Sequence, residues 1–277
     1  MPTWLDIIIL SIVEGITEFL PISSTGHMII TNKILGLAET EQLDAFLVIV
    51  QIGAILAVVS VFWKIFLGWI RAWLALAPKS PIQKEELHAS ARKQSLFAAS
   101  AVIPFALMGF AFHKQIKALF DVRIVASALI TGAIVILVSE YLIGKRRSPQ
   151  KTTDSLSLKD ALLVGCGQCL ALWPGFSRSA ATIISGRLRG FSQGAAAEIS
   201  FIIGLPTLAG AASYEMFEKA KLLNAEWFQY LAVGIVVAWV VAFIFVKGFI
   251  LFLQKYSMAV FAYYRLVVGG LLLIFFR

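Results

Sequence analysis

Three stretches of this chain run without a single Asp, Glu, Lys or Arg: Ala45–Trp63 over 19 residues, Gln94–Phe112 over 19 and Trp227–Val246 over 20. A helix needs roughly 20 apolar residues to cross the hydrocarbon core of a bilayer, so each stretch has the length of a membrane span. Three further segments join them: Ile124–Gly144 with Glu140 near its end, the uncharged run Ile199–Tyr214, and Met258–Phe276 with Arg265 inside it. The prediction is an all-α integral membrane protein with about six transmembrane helices, residues 1–277 forming one membrane domain. Composition agrees, because 59% of residues are hydrophobic and only 14% charged. A soluble domain carries about a quarter charged residues. This chain could not build a water-facing skin, which excludes a soluble enzyme and a disordered chain alike. The net charge of +8 fits Lys and Arg gathered in loops against an anionic leaflet, so no nucleic-acid partner is expected. The N-terminal stretch carries Asp6 and no leading Lys or Arg, which is not the pattern of a signal peptide. Cys166 and Cys169 sit in an apolar run, where small buried residues are expected rather than a redox pair.

Two regions resist the span pattern. Residues 2–35 are apolar overall but interrupted by Glu14, Glu18, Pro21, Ser23, Ser24, Thr25 and His27. Residues 160–196 are interrupted by Pro174, Gly175, Ser177, Arg178, Ser179, Thr182, Arg187 and Arg189. Broken backbone at membrane depth survives only where it is buried in protein or lines a wet cavity. Both regions are therefore predicted as re-entrant helix hairpins.

The hairpins also match each other. Pro21 and Ser24 set against Pro174 and Ser177 at an offset of 153, and Asp44 sets against Glu198 at 154. Each hairpin is followed by three spans, which predicts a repeat with halves 1–143 and 144–277. An odd number of crossings per half inverts the second half, and such inverted-topology repeats place their site near the midplane. Loops 64–93, 144–159 and 247–255 lie on one side with thirteen Lys and Arg, against seven on the other. The positive-inside rule makes the thirteen-charge side cytoplasmic, so the first hairpin opens outward.

Charge at membrane depth is costly and marks function. Glu14 and Glu18 stand four apart on one helix face, where they repel unless a cation or proton lies between them or a buried Arg pairs with them. Oxygen ligands favour a divalent cation such as Mg²⁺ or Ca²⁺. Ser23, Ser24, Thr25, Gly26 and His27 place hydroxyls beside an imidazole, as nucleophilic attack requires and as helix capping also would. Ser177, Arg178, Ser179 and Thr182 follow a Pro-Gly break, and a helix N-terminus with hydroxyls and a guanidinium cradles phosphate. Together these suit phosphoryl chemistry on a substrate whose tail lies in lipid.

These residues carry a resemblance. EGITEFLPISSTGHM at 14–28 is similar to the E-x-x-x-E and Ser-Ser-Thr-Gly-His region of the bacterial undecaprenyl-diphosphate phosphatases, the bacitracin-resistance family. PGFSRSAAT at 174–182 matches that family's P-G-x-S-R-S-x-x-T motif at every fixed position, and the pattern of spans fits along the whole chain. The resemblance implies an enzyme of the bacterial inner membrane, its site opening to the outer face, that removes the terminal phosphate of undecaprenyl diphosphate and so recycles the carrier for cell-wall synthesis. It implies Glu14 and Glu18 as metal ligands, with Glu18 also managing protons, and Arg178 as the diphosphate clamp. Ser24 is then the candidate nucleophile, with His27 as base or as an alternative nucleophile. Ser23, Thr25, Ser177, Ser179 and Thr182 complete the phosphate-binding set. The S-R-x₅-H-x₃-D lipid phosphatases do not fit, because Ile184 stands where their His would be. A polyprenyl-phosphate transporter or flippase on the same inverted-repeat frame stays open. Gly132, Ala133, Gly269 and Gly270 permit close helix contact within one chain or in a homodimer.

Overall fold

The computed structural model describes residues 2–74, 81–145 and 151–275, and its regular structure there is helical, with one isolated bridge between Lys151 and Phe191. The first hairpin pairs α1 (Trp4–Thr17) with α2 (Ser24–Ile34). The first span follows as α3 (Glu41–Ile49) and α4 (Gln51–Val61), and α5 (Trp63–Trp73) leads to the long α6 (Pro81–Ala111). A short α7 (His113–Lys117) joins α6 to α8 (Val122–Gly144). The second hairpin pairs α9 (Leu158–Gln168) with α10 (Arg178–Leu188), and α11 (Gln193–Lys219), α12 (Ala225–Leu253) and α13 (Ala259–Phe275) complete the chain. Five helical stretches are long and apolar enough to cross a bilayer: Glu41–Val61, His88–Ala111, Val122–Gly144, Gln193–Leu222 and Ala225–Leu253. The sixth expected span, Ala259–Phe275, is apolar but has only 17 residues. The second hairpin is shorter than expected, since residues 193–196 already belong to α11.

Local sequence explains why each hairpin forms and where it breaks. Thr3 caps α1 by accepting from the Asp6 amide, while the Asp6 carboxylate accepts from the Thr3 amide at 2.7 Å. This reciprocal pairing satisfies donors that a helix start leaves free. Ser157 likewise caps α9 by accepting from the Asp160 amide at 3.1 Å. Pro21 and Pro174 stand in the breaks that follow, and each break ends on a serine with left-handed backbone, Ser23 at φ 72° and Ser177 at φ 78°. Non-glycine residues rarely adopt this region. Each serine then caps the next helix, Ser23 accepting from the Gly26 amide and Ser177 from the Ala180 amide.

These landmarks correct the register. Thr3 and Ser157, Asp6 and Asp160, Ser23 and Ser177, and the limits of α2 and α10 are all 154 residues apart. The 153 offset taken from proline and Ser24 fails inside the breaks, because the second break has one more residue between Pro174 and its capping serine. Ser24 therefore corresponds to Arg178.

Packing is close where side chains are absent. α1 and α4 both lie against α12, and an added Cβ on Gly15 would come within 2.9 Å of the Ala238 carbonyl oxygen. α8 packs along α13, with Gly269 against Ile130 and the Ala126 carbonyl. Gly132 and Gly269 thus serve contacts within this chain. Large apolar side chains point outward, Phe110 at 90% and Phe217 at 89% exposure, as suits a surface solvated by lipid. Cys166 and Cys169 are free thiols, and Cys166 is exposed rather than buried, because it shares the outer face of α9 with Leu162 and Leu163.

One polar side chain sits at the centre of this packing. Arg265 on α13 is wholly buried and donates to four carbonyls: Leu129 at 3.1 Å, Pro21 at 3.0 Å, and Ala128 and Gly175 at 3.2 Å each. Two acceptors belong to α8, and the other two are the broken tips of the two hairpins. Gly132 opens the space, since a Cβ there would overlap the guanidinium.

Two stability predictions follow from these contacts. Gly132→Ala crowds the Arg265 guanidinium and costs about 1–3 kcal/mol, to be read as a lowered thermal midpoint of the detergent-solubilised protein. At the mouth of the second hairpin, Asp160 accepts from Ser157, Lys151 and Arg189 at 2.8–3.0 Å. Burial pushes its carboxyl up, but these hydrogen bonds and the Lys151 charge outweigh it and hold the pKa at about 2 against the usual 3.8. A depressed carboxylate stabilises the fold above its unfolded pKa, and this stabilisation is lost as pH falls from about 4 to about 2. Asp160→Asn should cost about 2 kcal/mol near neutral pH, and melts recorded down the acid range should converge with wild type.

Candidate active site

Glu18 stands just after α1, where the helix gives way to the Pro21 break, and it binds in two directions. Its Oε2 accepts from the Ser24 hydroxyl at 2.5 Å, and its Oε1 accepts from Arg178 Nη2 at 2.9 Å. Ser24 is the first residue of α2 and Arg178 the first of α10. One carboxylate therefore ties together the helix starts of both hairpins. All three groups are nearly buried, Glu18 at 7% and Ser24 at 8% residue exposure and the Arg178 side chain at 9%. An ion pair so far from water is felt at low dielectric, where partners and geometry count heavily.

The guanidinium has further supports. Its Nη1 donates to the Ser200 carbonyl at 3.1 Å, and its central carbon lies over the Phe19 ring, 5.8 Å from the ring centre. Its Nε is buried without a hydrogen-bond partner among the described residues. Glu14, one turn before Glu18, is 1% exposed and lies in the field of both Glu18 and Arg178. Its Oε1 is also buried without a partner among the described residues. Two carboxylates with one guanidinium leave an excess of negative charge, and two orphan polar atoms mark where a ligand or proton completes the set.

The remaining expected residues divide. Ser23 and Ser177 are engaged as caps, and the Ser177 hydroxyl is 2.9 Å from that of Ser179. Ser179 donates across to the Leu20 carbonyl of the first hairpin at 2.8 Å. Thr182 is fully buried, donates to the Arg178 carbonyl and shares a short hydrogen bond with the Ser200 hydroxyl. Ser179 and Thr182 thus brace the hairpins in this structure. Thr25 is half-buried. His27 is not brought to Ser24. Its Nδ1 lies 2.7 Å from the Ser23 carbonyl and its Nε2 lies 2.7 Å from the Tyr264 hydroxyl. Among the described residues no three His, Cys, Asp or Glu side chains converge as metal ligands, and Glu14 and Glu18 are a pair of neighbouring carboxylates.

Sequence reasoning missed Tyr264 and the contacts of Arg265. The one signal was the charge of Arg265 inside an apolar span. Cavities of about 530 and 350 Å³ lie elsewhere, around Thr152, Thr153 and Glu198, and neither is lined by Glu18, Ser24 or Arg178. The hydrogen-bonded Ser24–Glu18–Arg178 set lies instead in the packed crossing of the two hairpins.

A buried Glu–Ser–Arg set at the meeting of two broken hairpins, inside a bundle of membrane-length helices, defines a multi-pass membrane protein with an embedded polar site. A comparison with known families identifies which such protein this is related to. The model of the bacitracin resistance protein BacA family matches residues 7–271, nearly the whole chain, and the protein belongs to that family of undecaprenyl pyrophosphate phosphatases. It is accordingly a membrane hydrolase of the phosphatase kind.

Arg178 offers a direct test. Lysine keeps the charge but lacks the planar fork that serves Glu18 and the Ser200 carbonyl together. Arg178→Lys should lower phosphate release by about 10²- to 10³-fold, measured on purified protein whose thermal midpoint is recorded alongside.

Proposed function

We propose that this protein hydrolyses undecaprenyl diphosphate to undecaprenyl phosphate and inorganic phosphate, recycling the lipid carrier of cell-wall synthesis and conferring bacitracin resistance. The observation that carries the reading is the continuous hydrogen-bonded set Ser24–Glu18–Arg178, spanning both hairpins. In this reading Ser24 is the nucleophile. Its hydroxyl already donates to Glu18, so the carboxylate is placed to take the proton as Oγ attacks the terminal phosphorus. The bond from that phosphorus to the bridging oxygen breaks, and the polyprenyl monophosphate leaves. The protonated Glu18 gives that proton to the departing monophosphate oxygen; water then attacks the phosphoserine, Glu18 takes the water's proton and returns it to Ser24 Oγ as the Oγ–P bond breaks, and phosphate departs. The guanidinium of Arg178, including its unpartnered Nε–H, faces the charge that develops on the transferring group.

The same reading includes a divalent cation. The unpartnered Oε1 of Glu14 and the neighbouring Glu18 carboxylate fit one side of a hard, oxygen-loving ion such as Mg²⁺ or Ca²⁺. Such ions take one or two carboxylates and complete their shell with water and substrate phosphate. The ion would offset diphosphate charge that a single arginine leaves uncompensated. The first hairpin opens to the outer face of the bacterial inner membrane, in keeping with the loop charges.

The test uses purified protein in detergent, where neither gradient nor sidedness exists. Phosphate release from undecaprenyl diphosphate should depend on divalent cation. Ser24→Ala and Glu18→Gln should each lower turnover by about 10²-fold or more. A lipid carrier without hydrolytic chemistry would release no phosphate in this assay. Turnover of Ser24→Ala close to wild type would remove the serine nucleophile.

A further inference from the structure

Tyr264 lies 237 positions from His27 in the chain, yet its hydroxyl meets His27 Nε2 at 2.7 Å with the two ring planes 8° apart. The opposite ring nitrogen, Nδ1, lies 2.7 Å from the carbonyl of Ser23, the residue held in left-handed backbone. A carbonyl can only accept, so Nδ1 carries the hydrogen. In the neutral ring the Nε2 lone pair then accepts from the phenol, and the hydrogen bond at one nitrogen fixes the state of the other.

We propose that Tyr264 is a positioning residue of the active site. By donating to Nε2 of the tautomer that the Ser23 carbonyl requires, it holds the imidazole against that carbonyl and so steadies the turn that presents Ser24 to Glu18. The comparison of the two hairpins supports this. In the second hairpin the equivalent turn at Ser177 is braced by hydroxyls, Ser177 to Ser179 and Ser179 on to the Leu20 carbonyl. The position equivalent to His27 is Ala181 there. The first hairpin has His27 and Tyr264 in place of that hydroxyl chain. The next residue of α13, Arg265, donates to Pro21 in the same break, so two consecutive residues brace the turn before the nucleophile.

The role of Ser24 rests on the phosphatase reading above, so the experiment separates the two. Protein labelled with ¹⁵N at its three histidines, purified in detergent, should show His27 as the Nδ1–H tautomer with a hydrogen-bonded Nε2. Tyr264→Phe should shift the His27 signals toward mixed tautomers and lower kcat roughly tenfold with KM little changed, as expected when an orienting hydrogen bond is lost. In a His27→Ala background the same change should have no further effect on kcat. A Tyr264→Phe protein with wild-type kcat, or with unchanged His27 signals, would overturn the proposal. Should that variant not fold, the wild-type spectrum still decides, because an Nε2–H tautomer is incompatible with the role. Ser24→Ala at wild-type turnover would instead bring down the nucleophile assignment, and the tautomer result would stand apart from it.

Discussion

A guanidinium removed from water and given no carboxylate is expensive unless its donors find acceptors. Arg265 turns four of its five N–H donors to carbonyls, and the identity of those carbonyls explains the architecture. Pro21 and Gly175 lie where each hairpin stops being helical, so their carbonyls have no helical partner to rely on. Inside a bilayer such groups must be satisfied by protein. One side chain from the last helix solvates both breaks and ties them to α8. Without Arg265, the broken segments would leave polar backbone unpaired at depth.

The site built on that frame uses one carboxylate for two purposes. Glu18 neutralises Arg178 and at the same time receives the hydrogen of Ser24, and it is the covalently distant hairpins that it joins. Neither partner is held only by flexible side-chain reach, because each starts a helix whose preceding residue is locked as a cap. Preorganisation of this kind is where enzymes gain most, since the dipoles need not rearrange as charge develops. Glu14 stands behind the pair as the unsatisfied member.

Much of this was legible in the chain, for identifiable reasons. Charge-free runs mark spans because lipid excludes charge, and the two polar interruptions marked the hairpins. Glu18, Ser24 and Arg178 stood out as expensive or reactive groups in those interruptions, and the structure brings the three together. Other assignments depended on partners that sequence does not display. The hydroxyls of Thr182 and Ser179, which the motif offers to a phosphate, turn in this structure to Ser200 and Leu20, residues supplied by other elements. His27 suggests a base for Ser24 by nearness in sequence, whereas helical geometry turns it to Tyr264. The exposure of Cys166 depends on which face of α9 meets lipid, which a short apolar run with no polar stripe leaves undefined. The hairpins are offset by 154 rather than 153 because the landmark they share is the left-handed capping serine and not the proline.

That corrected register changes how the division of labour is understood. Ser24 and Arg178 occupy the same address in two similarly built hairpins, so the serine hydroxyl and the guanidinium are alternative side chains on one backbone design. Their separation is a property of how the hairpins cross rather than of any rotamer. A small slip of one hairpin past the other would stretch the Glu18 linkage at once, with no long flexible arm at the Ser24 end to absorb it. The catalytic spacing is, in effect, a measurement of the hairpin crossing, and the buried arginine on α13 is what keeps that measurement fixed.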